Sequence, residues 1–339
     1  MKNRFAALIL SFFVVNITGF AYASDDKNNP DIAVSFAIML ADDHPHTIAA
    51  KTVMAKKVAK KTGGKFIINV QNNGVLGSDS ETVEAASMGT MYMTGPAAAT
   101  LATIDLNWYI LDIPYVFTSA QQAREALDGE LGEFLSSSLE KSAGLMCLGF
   151  GEFGMRALSN NKREIRTVSD LKNMKIRTIE NKYHLATFTA MGANPTPMAF
   201  SEVYTALQTG QIDGQDNAVS ITYTNKFYEV QKYFTRLDHL FNVNCYLVNA
   251  EWFHSLPASY QTILRDAVRE AVKEQRRLVD ANEIKQLEAM RNAGCVVTEL
   301  NPDEKDAFVK ITQSVRDSFV KEYAETGARM IELAKRYRR

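Results

Sequence analysis

Alternating strand and helix patterns near the start of the chain constrain its fold more than any other feature. Residues 32–39, 66–70 and 91–94 are short, mostly apolar runs with strand character. Between them, apolar residues at helical spacing fill 46–61, and 79–88 has a helical composition. The order strand, helix, strand, helix, strand favours a parallel sheet with helices on both of its faces.

Two later strand-like segments, at 145–177 and 238–248, separate blocks of mixed helix and strand. We interpret them as crossings between two lobes, which is also the number of domains that the chain length favours. A single long helical pattern with a charged outer face follows at 257–290. Because ligands bind beyond the carboxyl ends of strands in such sheets, the predicted site is a cleft between the lobes.

The first residues have the pattern of a secretory signal peptide. Lys2 and Arg4 give a positive start, residues 5–15 are almost wholly apolar, and the small-x-small sequence Ala21-Tyr22-Ala23 precedes Ser24. The apolar run is too short for a good membrane-spanning helix, so an uncleaved anchor is the weaker alternative. We predict a signal peptide at 1–23, cleavage near Ala23-Ser24 and a mature protein in the periplasm.

Charge and cysteine content exclude some classes of partner and leave one question open. The formal charge of −1 loses two positive charges with the signal peptide and becomes −3, and no basic stripe remains, so nucleic acid is not an expected partner. Of the three cysteines, Cys147 and Cys245 lie in apolar strand-like runs. Their pairing is possible but not required, because a chain of this length can build its core without disulfides.

Two arginines, Arg156 and Arg177, each end a short apolar run and precede a helix-like stretch. A guanidinium is always charged and its planar fork matches a carboxylate, so burying it without a partner costs several kcal/mol. Either the protein or a ligand must therefore supply an acid. Internal candidates are Glu180 or Asp170 for Arg177, and Glu152 for Arg156.

An ordered set of motifs resembles one family. The motifs are Ala41-Asp42-Asp43-His44-Pro45, Gly74-Val75-Leu76-Gly77, Ile113-Pro114-Tyr115-Val116-Phe117, Lys175-Ile176-Arg177-Thr178, the run from Gly192 to Asn217, and the run from Asn225 to Tyr233. Together they cover nearly the whole mature chain and resemble the DctP-type solute receptors of TRAP (tripartite ATP-independent periplasmic) transporters. Such receptors catch organic acids outside the membrane and pass them to a sodium-driven transporter.

The resemblance implies an α/β, two-lobed periplasmic-binding-protein fold of type II-like form. Each lobe is expected to hold a mixed, mostly parallel sheet flanked by helices, with the long helix spanning both lobes. We expect the first lobe to comprise 24–150 plus about 240–290. The second lobe is expected to comprise 151–239 plus about 291–339.

The resemblance also implies a set of ligand-binding residues. Arg177 matches the family arginine that forms a salt bridge with the substrate carboxylate, and Arg156 matches a second arginine that commonly joins it. Asn217 matches an asparagine that lines the pocket. Phe200 occupies the position of an aromatic residue that packs on the ligand.

Each of these assignments has a plainer structural alternative. Asn217 follows an aspartate and suits a turn, and Phe200 can serve simply as part of the core. His44 is a further candidate for the cleft wall, although a histidine beside a proline is more often part of local loop structure. His44 and His46 lack a third metal ligand, so we predict neither a metal ion nor a cofactor.

The predicted function is an extracytoplasmic receptor for a small organic acid, either a C4-dicarboxylate or a sugar or hydroxy acid. Its partners are that acid and the membrane subunits of a TRAP transporter, and we expect a monomer without catalytic activity. Two departures from the family pattern, Ala218 in place of a proline and the small residues at 95–97, affect recognition of the ligand's far end. The alternatives are a sensory binding component, or a periplasmic enzyme with Glu180 or Asp216 as general base.

Overall fold

A computed structural model describes residues 30–338, so the predicted signal peptide and its cleavage site lie outside the described residues. The strands are β1 (Ile32–Ala37), β2 (Phe66–Gln71), β3 (Met93–Thr94), β4 (Leu145–Asn160), β5 (Lys175–Thr178), β6 (Asn194–Pro197), β7 (Gly214–Ala218), β8 (Tyr233–Arg236), β9 (Phe241–Asn249) and β10 (Val296–Glu299). The α-helices are α1 (Pro45–Ala49), α2 (Lys56–Lys61), α3 (Asp79–Ser87), α4 (Ala120–Leu127), α5 (Glu130–Ala143), α6 (Lys182–Ala190), α7 (Val203–Gln208), α8 (Val219–Thr224), α9 (Ala250–Ser255), α10 (Ala258–Asn292), α11 (Pro302–Ile311) and α12 (Gln313–Lys335). A π-helical segment, Ala50–Ala55, joins α1 to α2, and 3-10 helices cover Ala98–Thr103, Leu106–Asp112, Val168–Leu171, Phe200–Glu202 and Phe227–Glu229.

The predicted order of elements at the start of the chain is confirmed. β1 pairs in parallel with β2 on one side and with β3 on the other, and helices connect the strands. Such parallel units bury apolar strands on both faces. Phe36 and Phe66, both fully buried, are central to this part of the core.

The strands follow one another in the order β2-β1-β3-β9-β4-β7-β5-β6, with β8 also paired to β4 and β10 paired to β8. The outer pairings β5–β6, β5–β7 and β8–β10 are parallel. Within the described chain, β4 and β9 pair antiparallel with every strand beside them. The α/β two-lobed fold is confirmed, with β4 and β9 as the crossing strands.

The sixteen-residue strand β4 belongs to both lobes. Its residues from Leu145 to Met155 pair with β9, and its residues from Arg156 onward pair with β7. Gly154 lies just before this change of partner with a φ of 107°, a left-handed conformation that glycine adopts without strain. The register with β9 also shifts between Glu152 and Gly154.

The long helix α10 contacts both lobes, as predicted. It packs against α1 in the first lobe and against α8 and β10 in the second. Its fully buried Gln275 donates from Nε2 to the Glu152 carbonyl of β4 and to Asn244 Oδ1 of β9, both at 2.6 Å. The helix is therefore hydrogen-bonded to the two crossing strands at one point.

The two C-terminal helices pack on different lobes. In α11, Phe308 lies in a second-lobe cluster with Leu158 and Leu171. In α12, Phe319 lies instead in the first-lobe cluster that contains Trp108. Because the apolar face of the last helix is buried there, we propose that α12 belongs to the first lobe and that the second lobe takes only the earlier part of the expected segment 291–339.

All three cysteines, Cys147, Cys245 and Cys295, are buried and carry free thiols in the structure. Burial raises the pKa of the Cys245 thiol well above its ordinary value, and the neighbouring Cys147 raises it further. The pairing left open by the sequence is thus absent from this structure, although the two residues are on adjacent strands.

Candidate functional site

A small cavity lies between the two lobes, where the ends of several strands meet. Its polar wall residues are Asp79, Arg156, Arg177, Asn217 and Asn242. Phe153 and Phe200 supply aromatic surface. Four of the five side chains predicted from the sequence therefore line one cavity, and His44 does not.

Arg177 is a buried cation whose charge no acidic side chain of the described chain neutralises. The residue sits on β5, is only 3% exposed, and has no carboxylate oxygen within salt-bridge distance among residues 30–338. Its Nε and Nη2 both donate to the Met198 carbonyl, at 3.1 and 2.7 Å. One edge of the fork is thus fixed by backbone, and the remaining N–H groups can bind an anion in the cavity.

The two internal partners considered for Arg177 are occupied elsewhere. Asp170 accepts the Thr167 backbone N–H at 2.7 Å and caps a 3-10 turn. Glu180 is exposed to solvent. Burial, and next the charge of Arg156, lower the pKa of Arg177 to about 10, so the guanidinium remains charged at neutral pH.

Phe200 flanks this cation. The Arg177 Cζ atom lies 5.9 Å from the centre of the Phe200 ring, a distance at which a cation is attracted to a ring face. Phe200 also contacts the buried Phe227 at a centroid distance of 5.8 Å. Cavity lining and core packing, which the sequence presented as alternatives, are therefore both satisfied by the same side chain.

Arg156 has an internal partner, but it is Asp216 and not Glu152. Its Nε donates to Asp216 Oδ2 at 2.5 Å, and its Nη2 donates to the Asp216 carbonyl at 2.6 Å. Glu152 instead accepts a bidentate pair of hydrogen bonds from Arg124. Although burial alone would raise it, Arg156 and His239 hold the pKa of Asp216 far below its ordinary value.

Asn217 lies within strand β7, so the turn alternative is wrong. Its Nδ2 donates to Gln215 Oε1 at 2.7 Å, which fixes the orientation of the amide. The carbonyl oxygen and the second N–H have no bond to the described part of the chain. Both can therefore meet a ligand at the cavity wall.

His44 lies behind the wall instead of on it. Its Nδ1 accepts the His46 backbone N–H at 3.1 Å and caps α1, and its ring meets the edge of Phe153 at 5.3 Å. Burial, and then the neighbouring His46, lower the pKa of His44 well below its ordinary value. The residues from 30 to 338 contain no cluster of three or more metal-ligating side chains that includes these histidines.

Backbone forms much of the wall at Gly95 and Ala97, as the small side chains there predict. A Cβ atom on Gly95 would lie 2.6 Å from His46 Cε1 and 2.8 Å from Phe36 Cζ. Only glycine therefore fits between the cavity and the buried ring of His46. This close packing also explains why His46 has no access to a ligand.

Asp79 and Asn242 also line the cavity and were not predicted from the sequence. Asp79 is the first residue of α3, which Ser78 and Glu81 begin with a reciprocal capping box. Its Oδ2 accepts the Ala97 backbone N–H at 3.0 Å. Burial raises the pKa of Asp79 to about 6, an effect that this bond and the charge of Arg177 only partly offset. The capping box in the sequence could have located the helix start, but not its proximity to Arg177.

A second buried polar group joins the lobes beside this cavity. Asp112 of the first lobe accepts from Asn181 Nδ2 at 2.8 Å and lies 2.9 Å from His184 Nε2 of α6. All three side chains are at most 5% exposed. A small neighbouring cavity is lined by Asp112, His184 and Arg156, so this group is adjacent to the main site.

Two α/β lobes joined by crossing strands, with a charged cavity between them, form the architecture of a solute-binding protein. The chain belongs to the family described as DctP, bacterial extracellular solute-binding protein, family 7, whose profile matches residues 36–323. This match covers most of the chain, and the family resemblance seen in the sequence is confirmed.

Individual relatives agree with this assignment. A solute-binding protein of Verminephrobacter eiseniae is 35% identical over 85% of this chain and 85% of its own length. The 2,3-diketo-L-gulonate-binding periplasmic protein YiaO of Escherichia coli is 33% identical over 80% of this chain and 83% of its own. Among solved structures, the sugar acid binding protein of Advenella mimigardefordensis in complex with galactonate superposes with a TM-score of 0.86 at 29% identity, covering 90% of this chain and 98% of that one. Within residues 30–338, no helix has the length and apolar character needed to cross a membrane.

Proposed function

We propose that this protein is the periplasmic receptor of a TRAP transporter and that it binds a small organic acid through Arg177. The observation that carries this proposal is the cation itself: a guanidinium that is 3% exposed, lines a cavity and meets no acid of the described chain. A buried charge without a partner is costly, and a ligand carboxylate supplies that partner. A fork-shaped donor holds a carboxylate with two charge-assisted bonds in fixed geometry.

The other wall residues have supporting roles in this proposal. Phe200 covers the carboxylate and excludes water, and Asn217 binds an oxygen or hydroxyl group of the ligand. Arg156, already paired with Asp216, adds its remaining N–H groups without adding an unpaired charge. The ligand is a C4-dicarboxylate or a sugar or hydroxy acid.

We propose that ligand binding favours a closed arrangement of the lobes. Asp79 and Asn242 approach the cavity from the first lobe, whereas Arg177 and Phe200 approach it from the second. A ligand that contacts both sides stabilises the closed arrangement by its difference in affinity for the two states. The closed receptor, a periplasmic monomer, then delivers its acid to the membrane subunits.

A catalytic function has little support in the geometry. Of the two candidate bases, Glu180 is exposed and is not on the cavity wall, and Asp216 is held ionised in an ion pair with Arg156. A general base must accept a proton near the operating pH, which a strongly lowered pKa opposes. We therefore propose a binding function without turnover.

Titration calorimetry on the mature protein tests the proposal with a panel of aldonates, uronates and C4-dicarboxylates. We expect at least one acid to bind with micromolar or tighter affinity, about −8 kcal/mol. Arg177→Ala should weaken that binding by about 2–5 kcal/mol, the usual range for removing a buried charged partner. Arg177→Lys should also bind poorly because the planar fork is lost.

The matched control is Arg163→Ala, which removes an exposed arginine of the same lobe and should leave affinity unchanged. Recovery of the bound acid unchanged after denaturing the protein tests the absence of turnover. Wild-type affinity in the Arg177→Ala variant, or no binding of any acid by the wild type, would exclude the proposed role.

A further inference from the structure

The cavity wall carries one acidic side chain that forms no ion pair with a cation of residues 30–338, although the charge of Arg177 acts on it from a distance. Asp79 is half-buried on the first-lobe side of the cavity, and among residues 30–338 no lysine, arginine or histidine nitrogen lies within 4 Å of its carboxylate. Its one hydrogen bond in this part of the chain comes from the Ala97 backbone N–H. A carboxylate can accept about four hydrogen bonds, so most of this capacity remains unused.

A local role explains only part of this arrangement. An aspartate in the first turn of a helix interacts favourably with the helix dipole, and α3 begins at Asp79. The capping itself, however, is performed by Ser78 and Glu81. Asp79 therefore lines the same cavity as Arg177 and keeps unused acceptor capacity there.

The charges around the cavity match a ligand with one carboxylate. Arg156 is already neutralised by Asp216, which leaves Arg177 as the one unpaired guanidinium on the wall formed by residues 30–338. The first carboxylate of a ligand satisfies it. A second carboxylate would find no unpaired cation there, and it would enter the same small space as the negative charge of Asp79.

Hydroxyl groups suit the remaining polar atoms. An ionised carboxylate such as that of Asp79 is an acceptor only, and a hydroxyl group is a donor that can bond to it without carrying a charge. The amides of Asn217 and Asn242 can donate to and accept from further hydroxyl groups. A site that is built to bond hydroxyl groups discriminates strongly against compounds that lack them, because its own buried polar groups are then left unpaired.

We propose that Asp79 is a specificity-determining residue that selects a polyhydroxylated monocarboxylic acid and rejects C4-dicarboxylates. This inference rests on the proposed function, since it takes the carboxylate to be bound at Arg177. It narrows the ligand to acids of the aldonate or uronate type.

Calorimetric titrations at pH 7.5 compare two probe classes, aldonates and uronates (erythronate, gluconate, galactonate and glucuronate) and the dicarboxylate succinate. The variant is Asp79→Asn, which keeps the shape and removes the charge, and the matched control is Asp303→Asn, an exposed acid in the first turn of α11. We expect the wild type to prefer its best hydroxy acid over succinate by at least about tenfold. In Asp79→Asn the preference should fall by about tenfold or more, and in Asp303→Asn it should not change.

Three results would overturn the inference while leaving the proposed receptor function intact. They are a wild-type preference for succinate, an unchanged preference in Asp79→Asn, or tighter binding of serine, whose ammonium group would then be the true partner of Asp79. If instead no acid binds, or Arg177→Ala binds normally, the receptor proposal itself fails. Should Asp79→Asn not fold, as judged by circular dichroism, a wild-type preference for succinate would still overturn the inference.

Discussion

Arg156 and Asp216 form a buried ion pair across the antiparallel strands β4 and β7. The Arg156 Nε donates to Asp216 Oδ2 at 2.5 Å, and the two side chains are 5% and 0% exposed. His239 Nε2 lies 3.3 Å from the same carboxylate oxygen. The pair holds Arg156 at the cavity wall in a fixed orientation and cancels its charge.

Removing the charge of Asp216 should strongly destabilise the fold. Asp216→Asn leaves the buried Arg156 guanidinium without a counter-ion, and breaking a buried pair in this way costs about 3–5 kcal/mol. The free energy of unfolding in urea measures the effect. As a control, Asp266→Asn removes one partner of the exposed Arg269–Asp266 pair and should change stability by less than about 1 kcal/mol. Equal effects of the two substitutions would contradict the structural role assigned to the buried pair.

Ionisation of Asp79 should lower the stability of the ligand-free protein as the pH rises from about 4 to 6. Burial raises the pKa of Asp79 from 3.8 to about 6, so in this window the folded state binds more protons than the unfolded state. Stability therefore falls with rising pH through the folded pKa, and above it the charged form weakens the fold. Asp79→Asn has no such charge and should be more stable than the wild type at pH 7.5 by about 1 kcal/mol. This free energy is smaller than the full pKa shift of Asp79 would give, because the side chain is half-buried and solvent screens its charge.

Urea unfolding of wild type and Asp79→Asn at pH 4 and pH 7.5 tests this sign. The advantage of the variant should vanish at pH 4, where Asp79 of the wild type is protonated in the folded state. Asp303→Asn serves again as the control, because it changes a first-turn aspartate that is exposed. An advantage of the same size at both pH values would show that the charge of Asp79 is not its origin.

The interlobe contact at Asp112 should also be important for stability. Asp112→Ala leaves one N–H of the Asn181 amide and the Nε2 side of the His184 ring buried without a partner, and each unsatisfied buried group costs about 1–3 kcal/mol. We expect a total loss of about 2–4 kcal/mol in urea unfolding. Glu140→Ala, which breaks the exposed His254–Glu140 pair, should cost less than about 1 kcal/mol. If both substitutions cost the same small amount, the Asp112 contact does not hold the lobes together.

The sequence predicted the fold class, the early parallel unit, the long helix and most of the cavity wall. Local patterns are enough for these features, because the period of apolar residues reports which face of a strand or helix is buried. The unbroken course of β4 from Leu145 to Asn160 was harder to predict, since Gly149, Gly151 and Gly154 interrupt its apolar alternation. The structure accommodates these glycines with irregular register against β9.

Partners far apart in the sequence were not predictable from local patterns. Glu152 stands four residues before Arg156 and was the obvious internal acid, whereas the true partner, Asp216, is sixty residues away. In an extended strand, residues four apart lie on the same face but are too far separated for a close pair, and strand pairing decides which side chains meet. Asp79 was missed for a related reason, because its helix start is a local signal and its approach to the cavity depends on the packing of two lobes.

The continuity of β4 sets the mechanics of any movement between the lobes. β4 is hydrogen-bonded to β9 in one lobe and to β7 in the other, and Gln275 of α10 bonds to both β4 and β9. The strand is therefore not a flexible linker between the lobes. If the angle between the lobes changes, we expect the torsion in this strand to fall near Gly154, the residue whose backbone tolerates it best. Arg156 comes two positions later, so its ion pair with Asp216 lies next to the point where β4 passes from one sheet partner to the other.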